Sequence, residues 1–371
     1  MLNTTHPGKR SEEVLSEGCD ADRELDPSPT MLAAQARDAG RGTRLLDPDA
    51  IFAPFSKAKK LLLAISGGAD SVALMLIAAR WSGRDVTSIE VATLDHGLRD
   101  DSRQEAEQVA GWAKALGFPH HLLTWEGEKP RTRIQERARQ ARYRLLQECA
   151  ARIGADHIIT AHHADDQAET VLLRLTRGSG PAGLAGMAAF TELGEVTLAR
   201  PLLAVPKADL VGLCEAAGHT FLGDPSNENP AFARTRLRKL RRVLEAEGLD
   251  RAALLRLARR AARAEAALAE TASSIRRGLP AERASTRVRI RPEALAQLPE
   301  EIFLRILEAE VLGLSEGHDR LRLDRLERAA ADILVELRNN RVFATTLGGA
   351  RIAVTARGEL EISRAPARRS S

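Results

Sequence analysis

The chain has 371 residues, of which 44% are hydrophobic, 29% charged and only 3% aromatic, with a net charge of +4. A single hydrophobic core seldom exceeds about 250–300 residues, so this length predicts two or three domains. No run of residues approaches the roughly 18–20 apolar residues that span a bilayer. The N-terminal residues are too polar for a signal peptide. The three cysteines form no paired motif. We therefore expect a cytoplasmic protein with no membrane partner, no disulfide framework and no iron–sulfur site.

The first fifty residues contain ten acidic and six basic residues among many Pro, Gly and Ser. They show little hydrophobic periodicity, apart from room for one short helix near residues 31–39. This composition predicts a disordered N-terminal tail over residues 1–55.

The stretch 60–74 predicts a buried strand, a glycine turn and a helix that begins at Asp70 and Ser71. Gly67 and Gly68 permit positive φ, and the unpaired N–H groups at a helix start attract phosphate. Ser66 and Ser71 can add hydroxyl donors. An ordinary strand-to-helix connection is the alternative, but the full sextet Ser-Gly-Gly-x-Asp-Ser is more specific and resembles the loop of the N-type ATP pyrophosphatases.

Strands and helices alternate along the next 150 residues. Apolar runs predict strands at 89–94, 120–125, 157–160 and 196–203, and helical spacing predicts helices after 102, at 133–153, at 165–177 and at 206–218. Ser102 and Glu105 form the pattern of a capping box. This alternation predicts an α/β fold with a doubly wound, mostly parallel sheet, whose ligands bind at the carboxyl ends of the strands.

The composition changes after residue 224. Residues 234–263 hold eleven Lys/Arg against three Asp/Glu on an Ala- and Leu-rich helical pattern, which predicts a separate helical unit. This basic stretch suits contacts with an RNA backbone, although a solvated helix face is the alternative. The remainder predicts helices at 300–312 and 319–336 and two final strands at 351–355 and 359–363.

Polar residues crowd the segment that joins the strand at 157–160 to the next helix. Asp166 and Glu169 lie at i and i+3, so both carboxylates share one helix face. Acids beside ATP phosphates need a cation between them, and Asp70 and Asp166 are the candidate ligands of Mg²⁺. A zinc peptidase is the rival, but the motif H-E-x-x-H is missing. Arg142 could clamp phosphates, or belong to a solvated basic face.

Several segments together resemble bacterial tRNA(Ile)-lysidine synthetase over roughly residues 58–240. They are Ser66–Ser71, Leu94–Arg99, Ala138-Arg139 with Arg142-Tyr143, His162–Thr170, Arg177–Gly180 with Gly183-Leu184, Arg200–Leu203, Asp224–Asn227 and Arg234–Arg238. The resemblance implies an enzyme that uses ATP to adenylate the C2 oxygen of the wobble cytidine in a tRNA(Ile) with a CAU anticodon. The side-chain amine of L-lysine then displaces AMP. A monomer or a homodimer is expected.

The resemblance also implies roles for individual residues. The phosphates would be held by Ser66, Gly67, Gly68, Ala69, Asp70 and Ser71, with Leu94, His96, His162 and Arg177 as further nucleotide-binding residues. Catalysis would fall to Asp70, Arg142, Asp166 and Glu169, with Asp70 and Asp166 on Mg²⁺ and Glu169 on lysine.

The implied domains are a PP-loop ATP-binding catalytic domain of the adenine nucleotide alpha hydrolase type at 56–222, a helical tRNA-binding domain at 223–285 and a small α+β domain at 286–371. Two other functions stay open. One is tRNA thiolation by a related enzyme, and the other is a non-catalytic, nucleotide-dependent RNA-binding protein. Three acids beside the phosphate turn argue against simple binding, and the spacing of the cysteines argues against thiol chemistry.

Overall fold

The computed structural model describes residues 46–98, 101–127, 134–223, 233–314 and 321–365. Most of the expected tail, the expected helix near 31–39, Arg99 and the segment 224–227 lie outside these ranges. The chain divides into two compact units, one ending at Ala258 and the other beginning at Arg259.

A short helix, α1 (Pro48–Phe52), and the 3-10 turn Ala53–Phe55 begin the described chain. Phe52 and Phe55 are fully buried and pack edge to face with ring centroids 5.8 Å apart. Phe52 also stacks on Trp81 at 5.2 Å. The core of the first unit therefore includes residues that precede the phosphate turn.

A six-stranded sheet in the order β3-β2-β1-β4-β6-β5 organises the first unit. All neighbouring pairs are parallel except β5 with β6. The strands are β1 (Lys60–Ala64), β2 (Ser88–Asp95), β3 (His120–Thr124), β4 (His157–Ile159), β5 (Phe190–Leu193) and β6 (Val196–Ala199). The chain builds outward from β1 to β3 and then crosses to β4 on the other side of β1, which opens a crevice at their carboxyl ends. The predicted doubly wound, mostly parallel sheet is confirmed.

Helices cover both faces of this sheet. They are α2 (Ala69–Arg80), α3 (Ser102–Ala115), α4 (Ile134–Ile153), α5 (Ala164–Leu175), α6 (Pro181–Leu184) and α7 (Lys207–Ala216). Successive side chains of a strand point to opposite faces. Leu61 and Leu63 of β1 accordingly join a core with α2, α3 and α7, whereas Leu62 and Ala64 join a core with α4.

A short hairpin forms the edge of the sheet where the sequence predicted one strand over residues 196–203. β5 turns through Gly194, which has φ +66°, into β6, which is shorter than the predicted strand. β6 ends before Arg200, a buried side chain that donates to the carbonyl of Ala188 and the hydroxyl of Thr191, both at 2.7 Å. These tertiary contacts cannot be inferred from local sequence patterns. Because of them, the strand ends at Ala199 and not at residue 203 as predicted.

The expected capping box at Ser102 is not formed. α3 begins at Ser102 itself, and the Ser102 hydroxyl donates to Oδ1 of Asp95 at 2.6 Å. Burial would raise the pKa of Asp95, but the hydrogen bonds from Ser102 and the Gly97 N–H outweigh it and lower that pKa. A hydrogen bond to an ionised carboxylate is stronger than a capping hydrogen bond, so the Ser102 hydroxyl binds Asp95 and does not cap the helix.

Two further helices, α8 (Ala233–Ala246) and α9 (Arg251–Gly278), follow α7. Leu237, Leu244 and Leu254 pack with Val171 and Leu172 of α5 in a separate small cluster. This cluster fixes α8 and the first turns of α9 against the helix that carries the acidic pair. The boundary between the two compact units falls within α9.

The second unit pairs two helices, α10 (Glu300–Leu314) and α11 (Leu323–Arg338), with an antiparallel sheet in the order β7-β8-β11-β10-β9. Its strands are β7 (Ala281–Ala284), β8 (Arg287–Ile290), β9 (Phe343–Leu347), β10 (Ala350–Val354) and β11 (Leu360–Arg364). The predicted final hairpin is present as β10 and β11, which are joined by a turn at Gly358. Across the described residues, no helix is both long and apolar enough to cross a membrane.

Candidate active site

The glycine turn between β1 and α2 has a conformation that only glycine adopts easily. Gly67 has φ +88°, and a Cβ atom there would lie 2.5 Å from Cδ1 of Leu222. The Gly67 carbonyl also accepts a hydrogen bond from the Leu222 N–H at 2.9 Å. The segment that follows α7 therefore closes over the turn and fixes its shape.

Two serine hydroxyls line the same turn. Ser71 donates to the carbonyl of Gly68 at 2.9 Å and accepts the N–H of Ser66 at 3.2 Å, while the two hydroxyl oxygens lie 3.3 Å apart. Gly68 is the N-cap of α2 and has no side chain to occupy the free N–H groups of the first helical turn. This geometry suits an anion such as a phosphate group.

Three helices begin close to this turn. The N–H of Ala164, the first residue of α5, donates to the carbonyl of Val205 at 2.9 Å. The N–H of Lys207, which opens α7, donates to Oδ2 of Asp165 at 2.9 Å, and its Nζ lies 3.7 Å from Oδ2 of Asp70 in the first turn of α2. The positive ends of α2, α5 and α7 therefore share one region.

His163 is a buried side chain that links the phosphate turn to the acidic helix. Its backbone N–H donates to Oδ2 of Asp166 at 3.1 Å, and its Nδ1 accepts the Asp166 N–H at 3.3 Å, which makes a capping box for α5. Its Nε2 lies 3.4 Å from Oδ2 of Asp70 and 3.4 Å from Oδ2 of Asp166. One imidazole thus brings together the two carboxylates predicted to share a cation.

The protonation of these groups is coupled. Burial would lower the pKa of His163, but the hydrogen bond to Asp70 and the negative charges of Asp166 and Asp70 raise it. Burial would raise the pKa of Asp70, but His163 and Lys207 lower it. For Asp166, burial and the charges of Glu169 and Asp70 outweigh His163, so its pKa is raised. A bound cation would stabilise the charged form of Asp166.

Asp70 also carries a polar atom that needs a ligand. Its Oδ1 is buried and has no hydrogen-bond partner within the described ranges. Buried oxygens without a partner are rare in folded proteins and call for a water or an ion. No group of three His, Cys, Asp or Glu side chains in the described residues has metal-site geometry. Mg²⁺, however, takes one or two carboxylates and completes its shell with phosphate and water, which fits this pair.

Glu169 lies one turn further along α5 and pairs with the basic helix α8. Arg238 donates from Nε to Oε1 and from Nη2 to Oε2, the latter at 3.0 Å. Arg251 of α9 similarly contacts Asp165 at 3.2 Å. A cavity of about 50 Å³ beside these pairs has room for one or two water molecules. The carboxylate predicted to bind lysine is therefore already paired with a cation.

Arg142 lies on the inner face of α4. Leu146, one turn later, and Cys149 are buried against the sheet, and Arg142 shares their side of the helix and is half-buried. Because α4 ends just before β4 begins, its N-terminal half points towards the carboxyl ends of the strands. This position is compatible with the predicted phosphate contact.

The other predicted nucleotide-binding residues lie in three places. His96 and His162 follow the ends of β2 and β4; Nδ1 of His96 accepts the Leu98 N–H at 3.1 Å, and His162 is 2.8 Å from the Thr160 hydroxyl. Leu94 packs on the core beneath α4. Arg177 follows the C-terminus of α5, about 18 Å along the helix from its acidic start. Arg177 thus follows the end of α5 that lies away from the acidic residues.

Three residues at this site were not among the predicted set. His163 could have been found, because it stands three residues before Asp166 at the start of a helix, the spacing of a capping box. Lys207, whose Nζ lies 3.7 Å from Oδ2 of Asp70, and Arg238 have no such local signal. Only the tertiary fold places them beside the acids.

A glycine turn at the switch point of a parallel sheet, facing acids from the neighbouring strand, defines a nucleotide-binding protein of the PP-loop class, and residues 43–245 match the family model described as PP-loop domain. Three relatives carry the name tRNA(Ile)-lysidine synthase. The protein of Methylobacterium sp. (strain 4-46) is 48% identical over 91% of this chain and 97% of the relative. That of Bradyrhizobium sp. (strain BTAi1) is 44% identical over 87% and 95%, and that of Methylobacterium nodulans is 46% identical over 84% and 91%. This chain belongs to the tRNA(Ile)-lysidine synthase family.

Proposed function

We propose that this enzyme attaches lysine to C2 of the wobble cytidine of tRNA(Ile) with a CAU anticodon, using ATP and releasing AMP and diphosphate. One observation carries the proposal beyond family membership. Asp70 of the phosphate turn and Asp166 of α5 lie equally close to His163, so the phosphate-binding wall and the acidic wall of the crevice face each other. The names of the relatives support the same reaction.

The first step is adenylation of the cytidine. The C2 oxygen attacks the α-phosphorus of ATP, the bond from the α-phosphorus to the bridging oxygen breaks, and the electron pair leaves with diphosphate. The turn from Ser66 to Ser71 holds the phosphates, and Arg142 offsets the charge that grows on the departing group. Asp70 and Asp166 would hold Mg²⁺, which would neutralise phosphate charge.

The second step transfers lysine. Glu169 binds the side-chain ammonium, which must lose a proton before its nitrogen can attack C2. A nearby carboxylate accepts that proton. The new C–N bond forms at C2, and the C2–O bond breaks so that AMP leaves with the oxygen. The acids therefore serve a cationic substrate as well as the metal.

Helix α8 provides a basic surface for the tRNA. Arg236, Arg238 and Arg242 occur within three turns, and Arg242 is exposed. Phosphate contacts from such side chains release counterions, so binding should weaken steeply as salt rises. We propose a cytoplasmic location, which a tRNA substrate supports.

Thiolation and nucleotide-dependent RNA binding without turnover are the alternatives. Cys149 and Cys214 are fully buried, and burial raises the pKa of both thiols, that of Cys214 to about 11. A thiol with a raised pKa is a poor nucleophile at neutral pH. Binding alone would not require Asp70, Asp166 and Glu169 beside the nucleotide. Both features favour lysine transfer.

The test is an incorporation assay with the purified full chain. It receives ATP, Mg²⁺, labelled lysine and a tRNA(Ile) transcript with the CAU anticodon, with a CAU-to-GAU transcript as the control. We expect label in the first tRNA only, with one AMP per lysine. Sulfur transfer to the tRNA in place of lysine would support the thiolation alternative, and ATP binding without AMP release would support the non-catalytic one.

A further inference from the structure

Lys207 is a cation at the phosphate turn to which the proposed mechanism assigns no role. It is the first residue of α7, and its backbone N–H is fixed by Oδ2 of Asp165 at 2.9 Å. Its Nζ lies 3.7 Å from Oδ2 of Asp70, and its side chain keeps 52% of its surface exposed. The backbone is thus anchored, while the ammonium group can move within the crevice.

We propose that Lys207 is a catalytic residue of the adenylation step and that its ammonium group binds the diphosphate end of ATP. This inference rests on the proposed function and adds a residue to its first step. Asp70 holds the ammonium group in the absence of nucleotide, and the phosphates of ATP become its partner when they enter the turn.

The position of Lys207 favours a phosphate partner. Asp70 is in the first turn of α2, whose free N–H groups face the same anion, so a group 3.7 Å from Asp70 borders the phosphate site. Lysine binds phosphate as a compact charge on a flexible stem, and needs no fixed fork geometry. An exposed ion pair at this distance contributes little to stability. If Lys207 had only a structural role, replacing it would therefore have little effect on stability or on activity.

Lys207 also complements Arg142 across the sheet. α7 packs on the face of the sheet that contains α2, and α4 packs on the opposite face. The two cations would therefore approach the phosphates from opposite sides of the carboxyl edge. When the bond between the α-phosphorus and the bridging oxygen breaks, negative charge accumulates on diphosphate. Lys207 donates a hydrogen bond to that group and stabilises it, with no proton transfer required.

The test compares Lys207→Met, which removes the charge and keeps the length, with Lys207→Arg, which keeps the charge. Lys114→Met is the matched control, because Lys114 is an exposed lysine on α3. Adenylation is followed as tRNA-dependent exchange of labelled diphosphate into ATP without lysine. We expect kcat for exchange to fall about 100-fold or more in Lys207→Met, the size of losing one donor to a developing charge. Lys207→Arg should stay within about tenfold of the parent.

Product inhibition distinguishes a catalytic role of Lys207 from a purely structural one, because a structural role would not change inhibition by diphosphate selectively. If Lys207 binds diphosphate, Lys207→Met should lose inhibition by diphosphate while inhibition by AMP and the KM for lysine are unchanged. A normal exchange rate in Lys207→Met would overturn the proposal, and so would an equal loss of inhibition by both products. An unchanged thermal unfolding temperature excludes misfolding as the cause. Failure of the parent enzyme to incorporate lysine would instead refute the proposed function.

Discussion

Arg238 donates hydrogen bonds to both carboxylate oxygens of Glu169, from Nε to Oε1 and from Nη2 to Oε2. The pair joins the basic helix α8 to the acidic face of α5. A carboxylate has about four lone-pair sites, so the guanidinium fork occupies one on each oxygen and leaves the others for a second cation. The proposed lysine ammonium would therefore share Glu169 with Arg238.

Replacing Glu169 with Gln should separate lysine binding from adenylation. The amide keeps the shape of the side chain but cannot balance an ammonium group, so the KM for lysine should rise about tenfold or more. Exchange of diphosphate into ATP, which needs no lysine, should change little. Both rates are measured on the same tRNA preparation.

Glu192→Gln is the control for this variant, because Glu192 is an exposed carboxylate on the edge strand β5. It should leave both rates unchanged. If Glu169→Gln abolishes exchange and leaves the KM for lysine normal, Glu169 belongs to the adenylation step and not to lysine binding.

Gly67→Ala should damage ATP binding through the backbone. A Cβ atom at φ +88° is strained and would meet Leu222 at 2.5 Å, so the turn must distort. We expect a loss of about 1–3 kcal/mol in the free energy of unfolding and at least a tenfold rise in the KM for ATP. Urea unfolding and initial rates measure the two effects.

The matched control is Gly111→Ala, because Gly111 lies within α3 and nothing is within 4 Å of an added Cβ atom. Alanine in a helix interior should raise stability by roughly 0.5–1 kcal/mol and leave the KM for ATP unchanged. Equal effects of the two substitutions would show that the turn does not need glycine.

Asp166→Asn should stop catalysis without unfolding α5. The Asp166 carboxylate accepts the N–H of His163 in the capping box, and an amide oxygen can accept the same bond. The loss is therefore one negative charge at the proposed metal position. We expect lysine incorporation to fall at least about 100-fold with a thermal unfolding temperature within a few degrees of the parent.

Asp85→Asn, at an exposed aspartate outside the site, should retain full incorporation. Near-normal incorporation by Asp166→Asn would remove this residue from the mechanism. Unfolding at much lower temperature would mean that the charge itself, beyond the capping bond, stabilises the helix start.

The sequence predicts those parts of the fold that depend only on local sequence patterns. β1, the glycine turn and α2 form a contiguous stretch in which apolar run, glycines and helix start follow one another, so neighbours alone determine them. Asp166 and Glu169 share a helix face by spacing alone. The final hairpin likewise has a turn signal at Gly358 between two apolar runs.

The parts that the sequence misses depend on side-chain contacts between different elements, which helix and strand periodicity does not reveal. Arg238 and Glu169 are 69 residues apart, and no local pattern relates them. Ser102 binds Asp95 in place of capping its own helix because a buried carboxylate competes for its hydroxyl. β5 is held at the edge of the sheet by the hydrogen bond from Arg200 to the Thr191 hydroxyl, which hydrophobic periodicity does not predict.

A buried carboxylate should make the second unit sensitive to acid. Glu310 is 2% exposed and accepts hydrogen bonds from Arg276 at 3.0 Å and Arg283 at 2.8 Å. Burial would raise the pKa of Glu310, but these bonds outweigh it and lower that pKa. Its contribution to stability is therefore complete above the unfolded-state pKa of about 4.3 and disappears as pH falls through the lower folded-state value.

Glu310→Gln should remove this contribution at neutral pH and lower the free energy of unfolding by about 2–3 kcal/mol, because two guanidinium groups lose their charged partner.

The three tryptophans, at 81, 112 and 125, all lie in the first unit, so their fluorescence reports that unit alone, whereas far-ultraviolet circular dichroism reports both. In urea at pH 7, the variant should shift part of the dichroism transition to lower urea and leave the fluorescence transition in place. Glu327→Gln, at an exposed position on α11, should shift neither. Lowering the pH to about 3, below the unfolded-state pKa, should narrow the difference between Glu310→Gln and the parent, since the parent then takes up a proton at Glu310 on unfolding. A difference that persists in acid would assign the effect to packing and not to charge.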